Sequence, residues 1–108
     1  MRQAAVYRNQ ELAGMLTEDD QGHFQFEYDQ AYFSNPGKPA VSLTLPKTQQ
    51  MHSCDYLFPF FFNMLSEGAN RKLQSRLLQI DEKDHFGILM ATAGADTIGA
   101  ITVKPVNL

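Results

Sequence analysis

One cysteine, Cys54, stands alone in the sequence, so no disulfide can form within the chain. A disulfide framework is therefore excluded, and a single thiol suits a reducing compartment. Tryptophan is absent, and the longest apolar run, Tyr56 to Phe62, is far short of the roughly 20 residues that cross a bilayer. The opening MRQAAVYRNQ carries no apolar signal-peptide core, and the expected location is the cytoplasm. Basic charge is also scarce. Nine Lys and Arg stand against twelve Asp and Glu, giving a net charge of −3. A phosphate backbone demands a concentrated basic face, so a direct nucleic-acid partner is not expected. The one local cluster, Arg71, Lys72 and Arg76, reads as the wet side of a helix.

What is present describes a single globular domain over residues 1–108. The hydrophobic fraction is 44% and the charged fraction 19%, both ordinary for a folded chain of this length. Eight Phe and four Tyr make an aromatic-rich core.

Patterning gives the architecture. Ala5–Arg8 and Leu12–Leu16 read as strands around a turn at Asn9–Gln10–Glu11, and residues 17–22 as a loop. His23–Tyr28 alternates, with Phe24, Phe26 and Tyr28 on one face, which marks a half-buried strand of an antiparallel sheet. Asp29–Phe33 forms one helical turn. Val41, Leu43 and Leu45 alternate as a further strand, and residues 47–55 read as loop. Helices are expected over Tyr56–Leu65, Ala69–Ile80 and Glu82–Ala93. In the second, Leu73, Leu77 and Ile80 form the inward stripe. Asp81 caps the third, whose buried side is Phe86, Leu89, Met90 and Ala93, with Gly94 just past its end. Ile98–Val103 closes the chain as a strand. The expected fold is α+β: a small antiparallel sheet, an N-terminal meander plus a C-terminal strand, packed against about three helices.

Catalytic chemistry finds little footing. The segment from Gly94 to Gly99 has two glycines but no Lys-Ser/Thr after them, matching neither phosphate-binding fingerprint. His52 and Cys54 are too close together for a zinc half-site, and His23 and His85 belong to different elements. No metal, cofactor or catalytic residue is expected. The acidic runs Glu18–Asp19–Asp20 and Asp81–Glu82–Asp84 read as solvated turns and caps. The most informative stretch is Leu57–Leu65, where seven apolar side chains cover an arc of roughly 200°, far wider than the ~100° stripe of a surface helix. Such a helix is either wedged in the core or shared with a protein partner.

The same stretch carries a resemblance. Pro59-Phe60-Phe61-Phe62-Asn63-Met64-Leu65-Ser66-Glu67-Gly68 is similar to the Pro-Phe-Phe-x-Asn-Leu-Leu-Pro-Glu-Gly signature of the HipA N-terminal domain family. Val41-Ser42-Leu43-Thr44-Leu45-Pro46 resembles its Ser-x-Ser-Leu-Pro block, and Asp84-x-Phe86 through Gly94-x-Asp96-x-x-Gly99-Ala100 resembles its ending. Gly14 and the Gly22–Tyr28 strand fit its opening. Ser66 in place of Pro and Met64 in place of Leu depart from the signature. In HipA proteins this domain precedes a serine/threonine kinase core, for which the present chain has no room. In tripartite HipBST toxin–antitoxin systems a domain of this kind is a separate antitoxin, HipS. The resemblance thus implies a non-enzymatic antitoxin that neutralises a HipT-like serine/threonine kinase, with a HipB-like DNA-binding protein as a third component. The expected partner-binding residues are the tip Met64, Leu65, Ser66, Glu67 and Gly68 with neighbouring Phe62, entering or bracing the kinase cleft, and Arg71 as a rim ion pair; the same tip also reads as a plain helix–helix connector. Two alternatives stand beside it. One is a non-inhibitory accessory domain of a full-length HipA-type kinase; the other is an aromatic-lined small-molecule module.

Overall fold

Asn9 and Gln10 both adopt positive φ, 51° and 68°, the geometry of the tight turn that best matches the twist of two antiparallel strands. That turn joins β1 (Arg2–Arg8) to β2 (Glu11–Glu18) and starts the meander. In the computed structural model, which describes residues 1–65, 68–93 and 100–106 apart from the side chains of 68–71, the meander continues into β3 (Phe24–Tyr28). The turn between β2 and β3 is organised by Asp19, whose Oδ1 accepts hydrogen bonds from the amides of Gln21 (2.8 Å) and His23 (2.9 Å). Gly22 there takes φ +81°.

The chain goes on through α1 (Gln30–Phe33), β4 (Met51–Cys54), α2 (Pro59–Phe62), α3 (Gly68–Leu78), α4 (His85–Thr92) and β5 (Ile101–Pro105). The five strands form one antiparallel sheet in the order β4-β3-β2-β1-β5. The α+β expectation holds. Four helices are present among the described residues, and two of them, α1 and α2, are single turns. No helix among these residues is long and apolar enough to cross a membrane.

Register separates the two faces. Ala4, Leu16, Phe26 and His52 share one rung, and Val6, Gly14 and Tyr28 the next; these point into the core. Gln3, Thr17, Gln25 and Ser53 form a rung of the opposite face, as do Ala5, Met15, Glu27 and Met51. Aromatic rings lock the helices onto the inner face. Phe24 meets Phe86 of α4 edge-on at 5.6 Å, and Phe26 meets Phe61 of α2 at 5.9 Å. Phe61, Phe86, Ile88 and Leu89 are enclosed, each worth about 1.5–3 kcal/mol of apolar burial. At the sheet edge the Val103 amide donates to the Ala93 carbonyl (2.9 Å), tying β5 to the end of α4.

Five expectations are corrected. Residues Val41–Leu45 are a turn, not a strand: the Leu45 amide donates to the Ser42 carbonyl (3.1 Å) and Leu43 is 99% exposed. Their alternation arises because Val41 and Leu45 both reach back to Tyr28, whose hydroxyl accepts from the Val41 amide (3.1 Å) and donates to the Leu45 carbonyl. The sheet takes its fourth strand instead from the polar residues Met51–Cys54, expected as loop, because β3 offers them a complete ladder. The expected helix over Tyr56–Leu65 is helical only at Pro59–Phe62. In α3, Leu73 and Leu77 face outward. The third helix begins later than expected. Asp84 is its N-cap, its Oδ1 accepting from the Gly87 amide (3.1 Å), whereas Asp81 organises the preceding turn. The expected Gly94 terminus lies outside the described residues.

Candidate partner-binding site

Phe58 and Pro59 set the local geometry of the tip. Proline at the first helical position loses no hydrogen bond and arrives with its φ already helical. The Phe58 carbonyl accepts from the amides of Phe61 (2.9 Å) and Phe62 (3.0 Å), and the turn extends through Met64 to Phe61 (3.1 Å) and Leu65 to Phe62 (3.0 Å). The result is a tight, hydrogen-bonded knuckle from 58 to 65.

Burial sorts its side chains. Leu57, Phe58, Phe61 and Leu65 are in the core, with Phe61 fully enclosed by Phe26, Phe58 and Phe60. Phe60, Phe62 and Met64 are half-buried against that core and reach the surface. The wide apolar arc is therefore mostly core, with one margin exposed. Of the residues expected at the tip, Phe62 and Met64 sit together on this margin. Leu65 is buried and supports them from beneath. Gly68 opens α3 and Arg71 lies in its first turn, its side chain outside the described residues, as are Ser66 and Glu67 altogether.

Phe62 leads to features that sequence reasoning missed. Its ring meets the His85 ring edge-on at 4.9 Å, next to the α4 N-cap. There Arg2 donates from Nη1 and Nη2 to the two oxygens of Asp84 (2.9 and 2.8 Å) and from Nε to Glu18 (2.8 Å), with its guanidinium 5.3 Å from the Phe86 ring centre. The hydrogen bonds from Arg2, and behind them the Gly87 amide, hold the Asp84 carboxyl below the usual carboxylate range. Arg2 itself is pushed above its ordinary value, first by Asp84. Through His85 the tip thus sits beside a charged clasp that joins β1 to β2 and to the start of α4. The sequence placed Asp84 in an acidic run behind an expected Asp81 cap, and nothing local marked Arg2 as its partner.

Beside the clasp lies a groove of about 220 Å³ lined by Phe24, Asp55, Tyr56, Asp84 and His85. It continues over Phe24, Asp55 and Tyr56 into a second of about 460 Å³, where His23 lies 3.7 Å from Asp19 and 4.0 Å from Asp55. His52 is buried with Nε2 on the Pro46 carbonyl (2.9 Å), and Cys54 is half-buried on β4. Among the described residues no three His, Cys, Asp or Glu side chains are grouped to hold a metal ion. The surface here presents half-buried aromatic and thioether side chains beside carboxylates and imidazoles.

Comparison with known proteins fits this geometry. Residues 4–104 match the model of the HipA N-terminal domain. An uncharacterized protein of Haemophilus influenzae is 32% identical over 104 residues, covering 96% of this chain and 92% of that protein. Putative kinase Y4mE of Sinorhizobium fredii is 27% identical over 100 residues, covering 93% of this chain but only 24% of the kinase. Among solved structures, the N-terminal domain of HipA toxin superposes with a TM-score of 0.74 at 29% identity, covering 99% of this chain and 94% of that one.

Proposed function

Because the chain belongs to the HipA N-terminal domain family, we propose that it works as an antitoxin, binding a HipT-like serine/threonine kinase and holding it inactive without catalysis of its own. One observation carries this reading. The same domain makes up nearly all of the Haemophilus influenzae relative yet about a quarter of a putative kinase, so it occurs both nearly alone and joined to a larger body. A domain docked beside a kinase core within one chain benefits from a high effective concentration. Separated from that core, it must bind through its surface alone, which calls for a pre-formed apolar margin with a polar rim.

The knuckle suits that task. Phe62 and Met64 are presented on a hydrogen-bonded turn whose underside is fixed by Phe61 and Leu65, so little freedom is lost on binding. In this proposal Phe62, Met64 and the following Ser66–Gly68 segment meet the kinase cleft, and Arg71 adds an ion pair at the rim. The setting is the cytoplasm, and a HipB-like DNA-binding protein completes the assembly. With a net charge of −3, this chain itself does not hold DNA.

The test is co-expression with a HipA-type kinase of the same genome. Co-purification together with restored growth is the expected result. Co-purification without restored growth favours the non-inhibitory accessory domain, and failure on both counts removes the proposal.

A further inference from the structure

Helix α3 is turned inside out. Leu73 and Leu77, one turn apart, are 51% and 73% exposed, and Leu78 is 42% exposed. Gln74 and Ser75 face the body of the domain instead: Ser75 Oγ donates to the Ile80 carbonyl (2.5 Å), while Gln74 Oε1 is enclosed with no hydrogen-bond partner among the described residues. A helix at the surface of a monomer normally does the reverse, since its apolar stripe is what packs on the core. Three leucines on one short helix, two of them mostly in water, form an exposed apolar strip.

Charge says what covers it. The eleven residues Gly68–Leu78 contain Arg71, Lys72 and Arg76 and no carboxylate, so the rest of this chain of net −3 holds six net negative charges. Lys72 and Arg76 are exposed and, like the leucines, one turn apart; they run along the border of the Leu73–Leu77 strip. No ion pair engages either among the described residues. A second copy presenting the same helix would bring six cations together with no acid between them. An anionic bilayer would meet a helix of three cations attached to a body of net charge −6, a poor balance for surface binding. A helix with an apolar stripe edged by Asp and Glu satisfies both the leucines and the cations.

We infer that α3 is a second docking face, seating an acid-edged amphipathic helix of the kinase partner. The inference rests on the proposed function and adds to it a place, distinct from the Phe62–Met64 margin, and a chemistry for the partner's side.

Calorimetric titration of the purified kinase with the wild-type chain, Leu73→Asp/Leu77→Asp and Lys72→Glu/Arg76→Glu tests this, with folding confirmed by circular dichroism. Because all four side chains are exposed, both variants retain the wild-type spectrum. Each weakens binding tenfold or more, and a photo-crosslinker placed at position 77 attaches to an Asp- and Glu-rich helix of the kinase. If the wild type binds and both variants bind within twofold of it, the inference fails while the proposed function stands. Loss of wild-type binding to vesicles of phosphatidylcholine and phosphatidylserine, or of self-association, in place of loss of kinase binding also overturns it. If the wild type does not bind the kinase at all, it is the proposed function that fails first.

Discussion

Arg2 and Asp84 meet through two parallel hydrogen bonds of 2.9 and 2.8 Å, closing a separation of 82 positions in the chain. The pair joins the first strand to the start of α4 while Asp84 also caps that helix. Both groups are partly exposed, so the contribution is modest, about 1 kcal/mol for the cap and a similar amount for the forked pair. Asp84→Asn keeps a capping oxygen and removes the charge. Because the Asp84 carboxyl titrates below its ordinary value in the folded state, its stabilisation is present above the unfolded-state value of about 3.9 and is lost as pH falls through the lower folded value. Urea unfolding is expected to show the variant less stable by about 1 kcal/mol at pH 7, with the gap narrower at pH 3 than at pH 7. A gap unchanged at pH 3 contradicts this assignment.

Tyr28 organises the 41–45 turn from inside the core. Its burial pushes the phenol upward, so it remains neutral and both donates and accepts. Tyr28→Phe leaves the Val41 amide and the Leu45 carbonyl without that partner, at a cost of about 1–3 kcal/mol. Faster exchange of the Val41 amide, together with a melting temperature several degrees lower, is the expected signature.

Gly14 sits opposite Tyr28 on the sheet. A Cβ added there would run into the Glu27 carbonyl and stand 2.8 Å from the Phe26 ring. Backbone cannot yield as a side-chain tip can, so Gly14→Ala is expected to destabilise by about 1–3 kcal/mol in denaturant titration. A neutral substitution would show that β2 and β3 can separate at this point.

The knuckle separates stability from binding. Phe61→Ala empties a fully enclosed site and should cost about 3–5 kcal/mol, enough to unfold much of the population. Met64→Asp and Glu67→Arg, at the margin and tip, should leave the circular dichroism spectrum intact and weaken kinase binding at least tenfold. Equal affinity for wild type and both variants removes the tip from the interface.

Legibility in the sequence followed how locally each feature is determined. Phe24–Tyr28 announced itself because one side of β3 is buried and the other wet, the condition under which alternation carries information. Val41–Leu45 showed the same alternation for a different reason, two anchors on one tyrosine with Leu43 in water between them. Met51–Cys54 was missed because its strand character is supplied by β3 and not by its own residues. Leu73 and Leu77 gave a correct helix and the wrong face, since periodicity states that a stripe exists and not which way it points. The tip emerged from the family signature, and the structure added that Leu65 is buttress and Phe62 surface. The Arg2–Asp84 clasp could not be read at all, because a contact across 82 positions leaves no local pattern.

The central claim is inhibition by binding, and phosphoryl transfer measures it most directly. Autophosphorylation of a purified HipA-type kinase of the same genome is followed while this chain is added. Activity is predicted to fall in proportion to added chain and vanish near one equivalent, with Met64→Asp requiring far more. Undiminished autophosphorylation in the presence of excess folded chain would contradict the account.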